Sequence, residues 1–430
     1  MSVFLALMGA AFVLTLVTQR RSGVALMLPL VAWLTVHTGL ARMMMAPLEL
    51  HPAVPLVGGI ALAKVVSGRI GFRRASTGQA GISVFAALAV AVPLLFGLMS
   101  VLVRGARGGL LWLELILVPF IWLALLLDAH SRGEPVRRPV VWTVVGCAVL
   151  NAGFVIQQQV TGTVLLFPGT YTFYWWWNGT LPRPLGLMDT QVLLGMLTAI
   201  AAAMLFYLRS TVAAVLLGFL LLVSVVLAAA RTSMILVGLM LVIIIVGSRA
   251  RLFIKIGALS VVLLAGWYLF RSELAELAFT RFAEDSGSGD LRFQALRYFQ
   301  SQLSSLLLVG RGAASASQLR GAELGSSLEN GWLIWIFEYG GMAVAFAGGV
   351  LTALVAWGRK GDPRWAGMVL FVVAMVQTVA FSSTGASSTA VALLLSAVFA
   401  AHTQPWQRQL GEAGRPRYAP VAQTSRETLR

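Results

Sequence analysis

Thirteen apolar stretches, most of them long enough to cross a lipid bilayer, occupy most of this chain. They lie near 3–19, 24–40, 53–67, 81–103, 109–128, 140–157, 189–208, 211–229, 232–247, 253–270, 331–356, 365–381 and 387–402. A membrane-spanning helix needs about 20 largely apolar residues. The runs are continuous rather than alternating, which excludes a β-barrel. Residues are 58% hydrophobic and 11% charged, against about 25% charged in an ordinary soluble chain. Too few charges exist to cover a water-soluble surface, and far too many apolar groups exist for disorder. The expected fold is an all-α polytopic membrane protein of about twelve to thirteen transmembrane helices, with residues 1–402 as one membrane domain. The run at 53–67 is short and carries Lys64, so it is the least certain span. No basic region precedes the first run, so a cleaved signal peptide is not expected.

The formal net charge is +16. On a membrane protein its meaning depends on which side each charge occupies. With Arg20 and Arg21 placed on the cytoplasmic side and the spans alternating, that side also receives Arg69, Arg73, Arg74, Arg132, Arg137, Arg138, Arg209, Arg249, Arg251, Lys255, Arg359, Lys360, Arg364 and the tail arginines. With Lys64 this makes 21 of the 32 basic residues. The bias puts the C-terminus inside and, for thirteen spans, the N-terminus outside. The tail 403–430 reads as a disordered, arginine-rich cytoplasmic end, and no nucleic-acid partner is expected. The single cysteine, Cys147, lies in an apolar run, so neither an internal disulfide nor a cysteine metal site is available.

Eleven basic residues fall on the outer side: Arg42, Arg104, Arg107, Arg183, Arg231, Arg271, Arg281, Arg292, Arg297, Arg311 and Arg320. They run against the topology bias and need another explanation. Two outer segments exceed turn length. The first, 158–188, holds Tyr171, Phe173, Tyr174, Trp175, Trp176 and Trp177, which read either as an interfacial aromatic belt or as a platform for stacking sugars. The second, 271–329, carries six arginines and the acids Glu273, Glu276, Glu284, Asp285, Asp290 and Glu323, with Glu329 at its end. Its spacing predicts short amphipathic helices near 271–283 and 291–308, the latter with Leu291, Ala295, Tyr298, Phe299 and Leu303 on one face. Ser286–Asp290 reads as a flexible turn before that helix. The arginines either pair with the acids or bind a phosphorylated ligand, since guanidinium matches phosphate bidentately. Arg231 opens an apolar run at the outer boundary, where a charge must be paired or snorkel.

Four motifs follow in order: Arg183-Pro-Leu-Gly186-Leu-Met-Asp189 entering a span; Arg231-Thr232-Ser233 at a helix start; Arg292-Phe-Gln-Ala-Leu-Arg297 running on to Gly310-Arg311-Gly312; and Glu329-Asn330 leading to Glu338-Tyr-Gly340. In that order and on that side, they resemble the O-antigen ligase and O-antigen polymerase superfamily, over roughly 180–355. The resemblance implies a GT-C-like glycosyltransferase of the bacterial inner membrane, with its active site facing outward. Such enzymes move a glycan from an undecaprenyl-diphosphate carrier to an acceptor without a metal or other cofactor. The acceptor is lipid A–core for ligases and a second lipid-linked repeat unit for polymerases, where a chain-length regulator is a possible partner. Ligases carry histidine where this chain has Glu329, and the four histidines here lie elsewhere, which favours a polymerase of O-antigen or exopolysaccharide.

The developing negative charge on a diphosphate leaving group needs preorganised cations. No Asp-x-Asp pair offers a metal clamp, so arginines are the expected replacements. Arg292 is the expected catalytic arginine, with Arg183, Arg231 and Arg311 on the diphosphate and Arg281 and Arg297 behind them. Glu329 is the candidate base for the acceptor hydroxyl, Asn330 orients sugar or backbone, and Glu338 is expected to pair with an arginine. A flippase for lipid-linked oligosaccharide is the competing class. It would show polar or broken helices at mid-membrane depth, often in matching halves. Gln377 and Glu114 are the few polar candidates there, and no half-repeat is visible.

Overall fold

A computed structural model describes residues 2–18, 22–46, 48–68, 80–173, 183–208, 210–247, 286–319, 328, 330–358, 366–380 and 387–402, with scattered positions between 252 and 267. Every regular element among them is a helix. Two are long and apolar enough to cross a membrane, Val101–Ser131 and Arg137–Thr161. The other apolar helical stretches run 10–17 residues.

Fifteen helices carry the argument: α1 (Ser2–Val17), α2 (Met27–Thr35), α3 (Thr38–Met44), α4 (Ala53–Val66), α5 (Ala80–Trp112), α6 (Val118–Ser131), α7 (Arg137–Thr161), α8 (Gln191–Met204), α9 (Thr211–Leu227), α10 (Arg231–Gly247), α11 (Ser286–Leu306), α12 (Gly331–Tyr339), α13 (Gly341–Gly358), α14 (Ala366–Ala380) and α15 (Ser388–His402). The centre of the bundle is α8 and α15. Leu193 to Met204 and Ser388 to His402 are buried without interruption. A helix that is apolar all round belongs where neighbours cover every face.

Contacts between distant residues define two ends. At one, Lys64 of α4 meets Asp128 of α6 at 3.5 Å, and Arg132 pairs with the same carboxylate. Arg137 donates to the Ala400 carbonyl at 3.1 Å and stands 4.0 Å above the Tyr207 ring. His402 Nδ1 donates to the Leu354 carbonyl at 2.7 Å. The basic residues here (Lys64, Arg132 and Arg137) are all ones the charge bias places together on the inside. Gly23 lies beside Val136, so α1 arrives at this basic end from the other one. Ser2 and His402 therefore stand at opposite ends of the bundle.

The other end is built from interrupted helices. The apolar run at 24–40 is not one helix: α2 and α3 are bent by 113°. The break is at His37 and Thr38. The Thr38 amide and hydroxyl donate to Oδ1 and Oδ2 of Asp189 at 2.6 and 2.7 Å. His37 Nδ1 accepts from the Leu40 amide, and Nε2 lies 2.9 Å from the Thr170 hydroxyl. That hydroxyl spends its proton on the Phe167 carbonyl, so His37 is the donor to it and is the Nε2–H tautomer. Asp189→Ala removes a charged cap at the start of α3. Such a cap contributes about 1–2 kcal/mol, so a drop of a few degrees in the melting temperature of the detergent-solubilised protein is the expected result. Asp189→Asn should lose less, because an amide oxygen still accepts.

Two glycines with left-handed backbone turn helices back on themselves. Gly105 (φ 61) interrupts α5. The Trp112 indole returns to donate to the Pro93 carbonyl and lies on Gly97. Gly340 (φ 95) separates α12 from α13. A Cβ on Gly348 would stand 3.4 Å from the Trp332 ring, although 16 residues of continuous helix would separate them by roughly 24 Å. The run at 331–356, expected as one span, is therefore a helical hairpin with Gly340 at its tip. Tyr339, beside the second tip, packs against Phe96 on the first arm of the Gly105 hairpin, with ring centroids 5.1 Å apart.

Candidate functional site

The segment 310–316 is wedged between these tips. The Arg311 and Gly312 amides donate to the Phe337 and Glu338 carbonyls at 2.8 Å each. Gly310 lies against the backbone of Glu338 and Tyr339, and a Cβ on Gly312 would stand 2.6 Å from the Arg104 side chain. Both glycines of the Gly310-Arg311-Gly312 motif are thus demanded by close approach, one by a helix end and one by an arginine. Arg104, the residue before the first hairpin tip, donates to the Ala313 carbonyl at 2.8 Å.

Arg311 is exposed but held. Its Nη2 donates to Gln302 Oε1 of α11 at 2.9 Å, and its guanidinium stands 5.0 Å over the Phe337 ring of α12. One contact uses one of five N–H donors, leaving the rest of the fork for a ligand. Three elements fix its direction: the wedge, α11 and α12. A cation ordered before the ligand arrives costs less to use than a free one.

Helix α11 starts at Ser286, so the expected turn at Ser286–Asp290 is the helix's own beginning, and the helix is longer than 291–308 predicts at that end. Ala295 and Phe299 are buried in a small core with Leu306, Ala316, Leu319, Leu328, Ile334 and Phe337. Leu303 is 39% exposed and not part of that face. The buried face passes instead from Phe299 to Leu306. Arg297 lies on the exposed side of α11.

Arg183 and Arg231 belong to a second group, around the start of α8. The stretch that follows Arg183 is clamped by two polar residues of α7. Gln158 Oε1 accepts from the Leu185 and Gly186 amides at 2.9 Å, and Asn151 Oδ1 accepts from the Leu187 amide at 2.8 Å. Gly186 has φ 66, and a Cβ there would stand 2.8 Å from that Asn151 oxygen. Arg231 is the half-buried first residue of α10. Two residues on, Ser233 packs against Gly195 of α8 and accepts a 3.2 Å hydrogen bond from Gln377 of α14. Gln377 is therefore a buried link behind the Arg231 helix start. Glu114, the other polar mid-run residue, stands in a π-helical turn at 113–117.

Asn330 caps α12, its Oδ1 accepting from the Trp332 and Leu333 amides at 3.0 and 3.2 Å. Its amide nitrogen stays available for a ligand. Because α12 runs back toward Gly340, Asn330 lies roughly 15 Å along the helix from that tip at 1.5 Å per residue. Glu338 sits under the wedge rather than in an ion pair on the surface. Glu329, Arg281, the side chain of Arg292, Tyr174 to Trp177 and the tail 403–430 lie outside the described residues. Tyr171 is described and buried. It stacks on His37 at 4.4 Å, so that ring is packing rather than an open platform. Burial pushes its hydroxyl well above the usual tyrosine range.

From sequence, Arg104 counts among the outer arginines without a specific role, and His37 and Thr38 have no role at the site. Only a helix break inside an apolar run could have pointed to those two, and His37-Thr38-Gly39 is the signal that was present. Comparison with protein-family models, with characterised proteins and with solved structures yields no match for this chain.

Proposed function

We propose that this chain is a glycosyltransferase of the bacterial inner membrane that transfers a glycan from a polyprenyl-diphosphate carrier to an acceptor hydroxyl on the outer side, extending a lipid-linked polysaccharide. The observation that carries the reading is Arg311: an exposed guanidinium aimed by a glycine-flanked wedge, with Arg104 fixed two residues away. This is the arrangement that negative charge developing on a diphosphate leaving group requires. In this reading thirteen passes connect the two ends, with α12 as an additional re-entrant segment. Arg183 and Arg231 supply the second arginine pair, Arg292 acts on the departing diphosphate, and Arg281 and Arg297 stand behind it. Glu329 takes the acceptor proton beside Asn330, with the active site facing outward and no metal or other cofactor involved. A ligase acting on lipid A–core shares all of this except the acceptor, and the carboxylate at 329 favours polymerisation.

Transport is the second reading, because two observations favour it. The 113° break at His37 and the hairpin at Gly340 are interrupted helices of the kind that line transporter sites. The two readings separate in reconstituted vesicles supplied with lipid-linked repeat units. Transfer lengthens the glycan ladder; transport moves the lipid between leaflets without lengthening it. Arg311→Gln is expected to slow ladder growth on the order of a hundredfold at equal protein levels, with a chelator leaving the wild-type rate intact. An unchanged ladder in the variant overturns the role of Arg311, and loss of the wild-type rate with chelator overturns the metal-free mechanism.

A further inference from the structure

The glycine at 312 admits an arginine. Its backbone is left-handed (φ 87), and the stem of Arg104 crosses the wedge at that point: a Cβ there would stand 2.6 Å from Arg104 Cγ and 2.9 Å from Cδ. Consecutive Cα atoms are about 3.8 Å apart, so the Arg104 stem passes within roughly 8 Å of the Arg311 Cα. Arg104 comes from the first hairpin, Arg311 from the wedge itself. Among the described residues each is tied at one donor: Arg104 Nη1 to the Ala313 carbonyl at 2.8 Å, Arg311 Nη2 to Gln302 Oε1 at 2.9 Å. The other N–H donors of both guanidiniums are left for a ligand. Neither arginine has a carboxylate partner among the described residues, and Glu338 beneath the wedge makes no hydrogen bond to them. Both reach water, Arg104 half-exposed and Arg311 exposed. Two cations set this close repel unless an anion lies between them. One guanidinium fork occupies two oxygens of one phosphate. Two forks on neighbouring stems match two phosphates.

We propose that Arg104 binds the ligand directly: with Arg311 it forms a two-pronged clamp on a diphosphate ester, one guanidinium on each phosphate. The choice of a lipid-linked diphosphate as that ester rests on the transferase reading; the preference for two phosphates over one does not. The clamp is complete only where the first hairpin meets the wedge, and Gly312 is the position that lets it form. Arg104 therefore selects a diphosphate over a monophosphate, a distinction that Arg311 alone does not make.

Binding is read first, without any reaction. The full chain, purified in detergent, is titrated with radiolabelled inorganic pyrophosphate and with inorganic phosphate. The wild type is expected to hold pyrophosphate at least about tenfold more tightly, and Arg104→Gln to weaken it by about ten- to a hundredfold, the scale of a hydrogen bond to a charged group. Phosphate should be affected much less, because Arg311 still takes it, whereas Arg311→Gln should weaken both. Arg104→Lys still reaches the Ala313 carbonyl but replaces a fork by a point charge. It should lose pyrophosphate affinity several-fold at an unchanged melting temperature. Arg138→Gln, exposed at the opposite end of the bundle, should change neither affinity. A wild type without the preference, or a preference that survives Arg104→Gln, overturns the clamp. If Arg104→Gln does not fold, wild-type pyrophosphate affinity in Arg104→Lys overturns it by itself.

The lipid is read second. In mixed micelles a polyprenyl diphosphate should displace pyrophosphate more effectively than the monophosphate of the same polyprenol, and Arg104→Gln should erase the difference. A lipid diphosphate that fails to displace pyrophosphate overturns the lipid-linked ligand. A wild type that clamps pyrophosphate but never lengthens the glycan ladder overturns the transferase reading and leaves the clamp standing. A lengthening ladder without a pyrophosphate preference overturns the clamp alone.

Discussion

Gly310→Val is expected to remove nearly all folded protein from the membrane. The added Cβ would overlap backbone atoms of Glu338 and Tyr339, which belong to a helix end and have no rotamer to escape into. The segment has no freedom to retreat either, because the next two amides are bonded to the Phe337 and Glu338 carbonyls at 2.8 Å. Relief requires breaking those bonds and separating the wedge from α12, a loss exceeding about 4 kcal/mol, which exceptional substitutions reach through overpacking of this kind. Gly310→Ala should be nearly as severe, since the first carbon already collides. Gly349 meets nothing within 4 Å, so Gly349→Ala serves as the neutral control. A fluorescent fusion analysed by size exclusion after heating is sufficient: a monodisperse Gly310→Val protein at wild-type melting temperature would show that the close approach is wrong.

Asp128→Ala is the second severe substitution. Lys64 is 3% exposed on a helix of otherwise apolar sequence, and its ammonium has the Asp128 carboxylate at 3.5 Å. Removing the carboxylate strands a buried cation, and breaking one half of a buried pair costs about 3–5 kcal/mol. Arg132, which shares Asp128, is partly exposed and can turn to water. Lys64→Met by itself should be mild, because Asp128 keeps Arg132. Adding Lys64→Met to Asp128→Ala should recover most of the stability, since an apolar replacement of both partners is often neutral or better. Chemical or thermal unfolding of the four proteins in one detergent gives the cycle. If Asp128→Ala stays within about 1 kcal/mol of wild type, Lys64 reaches water along its own stem.

Much of this architecture follows from hydrophobic runs, because spans are long and their pattern is coarse. The runs at 81–103 and 109–128 predict two antiparallel helices, and Gly105 joins them as a hairpin tip. The sorting of charges placed Lys64, Arg132 and Arg137 together, and they meet at one end. What the sequence hid were interruptions that keep the apolar character intact. Gly340-Gly341 sits between equally apolar flanks, so nothing in the hydropathy reveals that the chain reverses there. The break at His37 depends on Asp189, 151 positions later, and a cap supplied from such a distance leaves no local trace. Ser286–Asp290 failed in the opposite sense: its glycines read as a turn, yet the segment is helical. At the site, the Gly-x-Gly spacing and the arginines were legible as motifs. Why each glycine is required became visible only with Arg104 and the α12 helix end in place.

The hairpin at Gly340 has a consequence for how the chain is made. A nine-residue helix is too short to halt in the translocation channel as a span in its own right. It must enter the bundle sideways, after synthesis of α13 has begun and only where an existing surface accepts it. Part of that surface is the first hairpin, completed more than two hundred residues earlier. The wedge with Arg311 therefore forms late in biogenesis, and a nascent chain stalled before α13 would carry every arginine from Arg183 to Arg320 and still lack the assembled site.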